Sequence, residues 1–130
     1  MDRIEKAVEL KNSGKFNCAE AVVMAYSDLV DVDKETLLKI ASGFGTGMGS
    51  LEATCGALVG ANIILGLLNN SETKTKFMSK NMLKDFKELS HATICKDLKG
   101  IETGVVLCPC DMCVRNASKV LEKTLKDNNL

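Results

Sequence analysis

Leu51-Glu52-Ala53-Thr54-Cys55-Gly56-Ala57-Leu58-Val59-Gly60-Ala61-Asn62-Ile63-Ile64-Leu65-Gly66-Leu67-Leu68 is the most apolar stretch of the chain, and small residues crowd its first half. A membrane-spanning helix needs about 20 consecutive apolar residues. This run is shorter and is interrupted by Asn62, so it reads as a buried central helix, with no membrane span. Its slim portion, Ala53, Cys55, Gly56, Ala57, Gly60 and Ala61, lets neighbouring helices approach closely.

Three shorter helical segments precede it. Ile4, Ala7, Val8 and Leu10 recur at helical spacing before Gly14, a residue suited to the left-handed position after a helix end. Asn17 with Glu20 three residues on is a capping-box pattern, opening a helix through Ala21, Val22, Met24, Ala25 and Leu29. Cys18 falls on its first turn, where the partial positive charge of a helix N-terminus stabilises a thiolate. Asp33 caps a segment carrying Leu37, Leu38, Ile40 and Ala41, ending at Gly43. Gly43-Phe44-Gly45-Thr46-Gly47-Met48-Gly49 follows, with glycine at every second position. It lacks both the GxGxxG fingerprint after a strand and the Lys-Ser or Lys-Thr of a P-loop. Two readings stay open, a mobile loop and a nest of backbone N–H groups pointed at cluster sulfurs or an anion.

On the C-terminal side, Ser71 caps a long amphipathic helix with Phe77, Met78, Met82, Leu83, Phe86 and Leu89 on one stripe and a solvated lysine face opposite. The pattern breaks near Ser90-His91 and resumes through Ile94, Cys95 and Leu98 to Gly100. His91 and Cys95 stand four apart, the spacing of a metal pair on one helix face, but a surface or capping role is the favoured reading for the one histidine. Gly100 to Leu107 is a connection, and Asp111 caps a last helix through Val114, Ala117, Val120, Leu121 and Leu125. The expected architecture is an all-α, single-domain bundle of about five to six helices over residues 1–130.

Composition agrees with helix-on-helix packing. There are four Phe, one Tyr and no Trp, so the core is built from Leu, Ile, Val, Ala and six Met. Seventeen basic and 17 acidic residues balance, which leaves no field to hold a nucleic acid. The charged start, Met1 to Lys6, is not followed by an apolar leader, so the cytoplasm is the expected compartment. In a reducing compartment several cysteines point to metal binding or redox catalysis rather than to structural disulfides.

Half of the six cysteines lie in Cys108-Pro109-Cys110-Asp111-Met112-Cys113. Thiolates are soft ligands for zinc and iron–sulfur clusters, and also nucleophiles of dithiol exchange. A structural zinc or cluster site wants four ligands, and Cys95 is the nearest addition to this trio. The spacing is that of neither a zinc ribbon nor a bacterial ferredoxin. Cys110 and Cys113 also form a CxxC at a helix start, a dithiol arrangement, although the βαβ context of thioredoxin is missing. No CxxCH haem attachment is present.

Asn17-Cys18-Ala19-Glu20-Ala21-Val22, the glycine run 43–49, Cys55-Gly56-Ala57-Leu58-Val59-Gly60, Cys95, and Cys110 with Val114-Arg115 together resemble the C_GCAxxG_C_C family over residues 10–125. That resemblance implies a small all-helical domain whose four motif cysteines, Cys18, Cys55, Cys95 and Cys110, converge on one redox-active site. The Val-Arg anchor gives Cys110 the last position; Pro109 gives Cys108 a competing claim, because a proline follows that cysteine in relatives. Cys108 and Cys113 otherwise stand as additional ligands or redox thiols.

The expected function is electron transfer or redox sensing, with a redox protein partner, through an iron–sulfur cluster of the 2Fe–2S type on Cys18, Cys55, Cys95 and Cys110. Gly45, Gly47, Gly49 and Gly56 are expected to bring backbone dipoles close to its sulfurs. The alternatives are a metal-free thiol–disulfide oxidoreductase with Cys18 or Cys110 attacking, and a zinc-stabilised interaction module. The Ala53–Ala61 face offers a homodimer interface, with burial inside one subunit the simpler account.

Overall fold

The computed structural model describes residues 2–130; Met1, part of the charged start read above for a leader, lies outside them. The helices are α1 (Arg3–Asn12), α2 (Cys18–Ala25), α3 (Lys34–Ala41), α4 (Gly56–Leu68), α5 (Glu72–Ser90), α6 (Cys95–Leu98) and α7 (Cys110–Asp127). A 3-10 turn at Ser27–Leu29 brings the described helices to eight, where five to six were expected. The extra pieces are this turn and α6, which the break after Ser90 detaches from α5: His91 adopts φ 75° and closes the longer helix. Among the described residues there is no strand beyond one antiparallel bridge, Thr54 with Ile94, and no helix is long and apolar enough to cross a membrane.

Local chemistry accounts for most of the helix starts. Asn17 Oδ1 accepts from the Glu20 amide at 2.8 Å while Glu20 Oε1 accepts from the Asn17 amide at 2.9 Å. Asp33 accepts from Thr36 and Ser71 from Lys74 in the same way. Each such cap is worth about 1 kcal/mol. The last helix departs from expectation: Pro109, not Asp111, is the N-cap, and α7 begins at Cys110. Proline suits that boundary because its missing N–H has no intrahelical partner to lose.

The central helix also starts later than its hydropathy suggests. Thr46, Gly47, Met48, Gly49 and Leu51 all have positive φ, so residues 46–51 form a left-handed turn, and α4 begins only at Gly56. Cys55 is therefore the N-cap of α4 rather than a residue inside it. What holds it there is distant in sequence: the Cys55 amide donates to Thr93 O at 2.8 Å, and the Cys95 amide donates to Ala53 O at 3.0 Å.

Packing centres on α2, α4 and α7, with α1 laid over α7 and α2, α5 over α7 and α4, and α3 against α2. The slim face of α4 is used here. A Cβ at Gly60 would stand 2.8 Å from Ala19 O, so α2 and α4 approach almost backbone to backbone. Ala57 and Ala61 are fully buried, as the simpler account of this face, burial within one subunit, expects. Met78, Met82 and Phe86 of α5 are buried, whereas Phe77, Leu83 and Leu89 are exposed; the inward stripe keeps to the i, i+4, i+8 positions. Each large apolar side chain so buried contributes about 1.5–3 kcal/mol of transfer free energy.

Candidate functional site

Four cysteines from four separate segments stand at helix starts. Cys18 is the first residue of α2, Cys55 the N-cap of α4, Cys95 the first residue of α6 and Cys110 the first residue of α7. All four line one cavity of about 10 Å³, together with Cys113, Gly56, Leu98 and Lys99. Cys18, Cys55, Cys95 and Cys113 are buried, and Cys110 is half-buried.

The fold brings them together through two devices. The crossed bonds between residues 53–55 and 93–95 clamp Cys55 beside Cys95. Absent side chains then let the backbone close on the sulfurs. A Cβ at Gly56 would stand 2.6 Å from Cys18 Sγ and 2.3 Å from Phe44 O, and one at Gly47 would stand 2.7 Å from Cys95 Cβ. Gly45 is pressed against the Asn17 side chain that caps α2. Nothing lies within 4 Å of the Cβ position of Gly49, whose φ of +73° belongs to the left-handed turn.

The electrostatics are uneven. Burial pushes the Cys18 thiol up, against hydrogen bonds from the Thr46 and Ala19 amides that favour its thiolate. Burial likewise raises Cys95, opposed by the Lys99 charge. Cys55 goes the other way. The Cys113 thiol, the amides of Leu58 and Ala57 at the start of α4, and Lys99 outweigh burial and hold its thiol below the ordinary range. Cys113 is correspondingly raised, first by its hydrogen bond to Cys55 and then by burial. At Lys99 burial works against the ammonium, but the Cys110 partnership and the fields of Cys95 and Cys18 prevail, and its pKa is raised. One half-buried cation thus faces a group of thiols.

Two candidate residues stand elsewhere. His91 is exposed and caps the end of α5, the surface or capping role favoured for it, and it shares no helix with Cys95. Cys108 is buried behind the site, where it receives Asn116 Nδ2 at 3.8 Å, and it does not line the cavity; a self-contained knuckle of Cys95, Cys108, Cys110 and Cys113 is therefore not assembled. Conversely, Lys99 and the Cys55–Cys113 contact were not anticipated. Lys99 carried one signal, its position one helical turn after Cys95; the contact carried none, since it depends on how α4 and α7 meet.

The donor set is soft and suits iron or zinc. Among the described residues no three His, Cys, Asp or Glu side chains are grouped to hold a single metal ion. The cavity has room for about one water molecule, so a larger guest requires the thiols to turn outward about χ1.

No curated protein and no solved structure matches the chain. The family model described as "Putative redox-active protein (C_GCAxxG_C_C)" matches residues 16–124, a span that contains every cysteine of the site, and the chain belongs to that family.

Proposed function

We propose that the protein carries an iron–sulfur cluster on Cys18, Cys55, Cys95 and Cys110 and uses it for electron transfer or redox sensing with a protein partner. The observation that carries this reading is the convergence of the four motif cysteines, from four segments, at four helix starts around one enclosed space. Helix N-termini present unpaired N–H groups and partial positive charge to anionic sulfur. The effect is greatest at α2, α4 and α7, since α6 has only four residues. Lys99 supplies a full charge on the same side.

When bound, such a cluster supplies one-electron chemistry. The chain's own part is to hold the ligands as thiolates, compensate their charge with Lys99 and the amides of Thr46, Ala57 and Leu58, and exclude water by burying the sulfurs. The cavity must open for any cluster, and the smaller 2Fe–2S form asks for the smaller opening. An electron must also reach the surface. Cys110 is the half-buried ligand, and the loop leading to it exposes Ile101, Val105, Val106 and Leu107, an apolar approach suited to a protein partner.

The test is iron and acid-labile sulfide analysis, with visible absorption, of protein purified or reconstituted without oxygen. Iron and sulfide in equal amounts with absorption beyond the protein band support the reading. Colourless protein, or zinc alone, overturns it.

A further inference from the structure

We propose that the outward face of α5 is a docking surface for an anionic membrane leaflet, on which the protein lies peripherally. Five of the chain's 17 basic residues fall on this helix against three acids, although the chain as a whole carries no net charge. The acids do little to offset them. Glu72 bridges Lys76 at 3.5 Å, and Asp85 is turned to Lys123 of α7 at 3.2 Å. Among the described residues, Lys74, Lys80, Lys84, Lys87 and Glu88 make no ion pair.

The placement of these lysines makes the excess directional. Met78, Met82 and Phe86 turn inward, while Lys76, Lys80, Lys84 and Lys87 are exposed and recur at successive turns on the opposite face, a row about 16 Å long. Like charges three or four residues apart destabilise a helix. Folding therefore gives no reason for three such neighbours in succession, and an external anionic surface does.

The flanks of the row distinguish a leaflet from an acidic protein. Phe77, 68% exposed, borders it on one side and Leu83, 41% exposed, on the other. An acidic protein surface matches the ammonium groups but not these apolar neighbours. A leaflet matches both, offering phosphates to the lysines and the boundary between headgroups and acyl chains to the ring and the alkyl groups. The lysine stems are long enough to keep their charges at phosphate level while the apolar side chains go deeper. Beside the row, α4 and α5 enclose a polar groove of about 730 Å³ lined by Asn62, Gly66, Lys76, Ser79 and Lys80. Nothing lies within 4 Å of the Gly66 Cβ position, so the groove has space for one phosphodiester headgroup next to two ammonium groups.

Each lysine near an anionic leaflet strengthens partitioning by roughly fivefold, and the attraction fades beyond a screening length of about 10 Å at 0.1 M salt. A single row of this kind gives reversible docking. It does not involve the cysteines, and it holds with or without a cluster.

The experiment sediments the full chain with vesicles of phosphatidylcholine alone and of phosphatidylcholine mixed with phosphatidylglycerol. Binding to the mixed vesicles and not to the neutral ones is expected, with release in about 1 M salt, where the screening length falls to about 3 Å. Lys80→Glu with Lys84→Glu should weaken binding by roughly 25-fold or more. Lys15→Glu with Lys34→Glu, the same change of net charge at exposed positions elsewhere, should stay near the wild type. Phe77→Ser should weaken binding without altering its dependence on salt. Equal binding to both kinds of vesicle, or equal loss in the two double variants, overturns the proposal. So does the absence of binding to the mixed vesicles, and retention of that same protein on immobilised polyglutamate would assign the face to an acidic protein instead.

Discussion

The Cys18 sulfur and Gly56 share a boundary with no room for a methyl group: a Cβ at position 56 would lie 2.6 Å from Cys18 Sγ and 2.3 Å from Phe44 O. The carbonyl is backbone and cannot swing aside, so Gly56→Ala forces α4 away from both α2 and the glycine loop. Overpacking of this kind costs about 1–3 kcal/mol. Thermal unfolding of Gly56→Ala is expected to show a lower Tm, whereas Gly66→Ala, on the same helix with nothing within 4 Å of its Cβ position, gains about 0.5–1 kcal/mol from helix propensity. Equal Tm values for the two variants would contradict the close approach.

Lys99 is expected to govern the reactivity of the thiols it faces. Its charge favours the thiolates of Cys55 and Cys95, so Lys99→Met, which keeps an apolar stem, raises both. In reduced, metal-free protein near neutral pH, alkylation of Cys55 and Cys95 should slow, by roughly 2-fold at Cys55 where the amides and Cys113 still favour the thiolate. Lys99→Arg keeps the charge and should stay near the wild-type rate. Equal rates in all three proteins would remove Lys99 from the site.

Stability should depend on pH through the Arg115 pairing with Glu5, which joins α7 to α1. The Arg115 hydrogen bond holds the Glu5 carboxyl below its ordinary value. A carboxylate with a depressed folded-state pKa stabilises the fold fully above its unfolded pKa, about 4.3, and loses that contribution as pH falls through the folded value. Glu5→Gln should therefore unfold at a lower temperature than wild type at pH 7, and the gap should close as pH drops below about 4. A gap that widens in acid would refute the assignment. The pair is exposed, and the effect is small.

Ser118 and Tyr26 make opposite predictions at one helix contact. Ser118 Oγ is buried without a hydrogen-bond partner among the described residues, so Ser118→Ala removes an uncompensated desolvation cost and should stabilise by up to about 1 kcal/mol. The fully buried Tyr26 hydroxyl donates to Glu122 Oε1 at 2.9 Å, and burial together with Glu122 keeps the phenol neutral. Tyr26→Phe should cost about 1 kcal/mol, since it strips the carboxylate of its partner. Denaturant unfolding reads both; a stabilising Tyr26→Phe would overturn the role of that bond.

Much of this fold was legible because helix starts are local chemistry. Asn17 with Glu20, Asp33 and Ser71 announce their helices through side chains that reach only three residues ahead. The N-terminus of α4 was not legible. It is set by bonds from Cys55 to Thr93 and from Cys95 to Ala53, and three non-glycine residues, Thr46, Met48 and Leu51, accept positive φ to make the preceding turn. The site shows the same divide. Residues 18, 55, 95 and 110 share no local spacing, so only resemblance to relatives grouped them. The inward turn of Cys113 follows from how α7 meets α4, and the reach of Lys99 from how α6 meets the left-handed turn before α4, which no periodicity within one helix encodes.

The most direct measurement is iron and sulfide content after anaerobic reconstitution of six single Cys→Ser variants beside the wild type. Loss of iron and of visible absorption in the variants at Cys18, Cys55, Cys95 and Cys110, with retention at Cys108 and Cys113, is the predicted result. A wild type that takes up no iron, or equal loss from Cys108, Cys110 and Cys113 with no loss from Cys18, would contradict a cluster assembled from four helix starts.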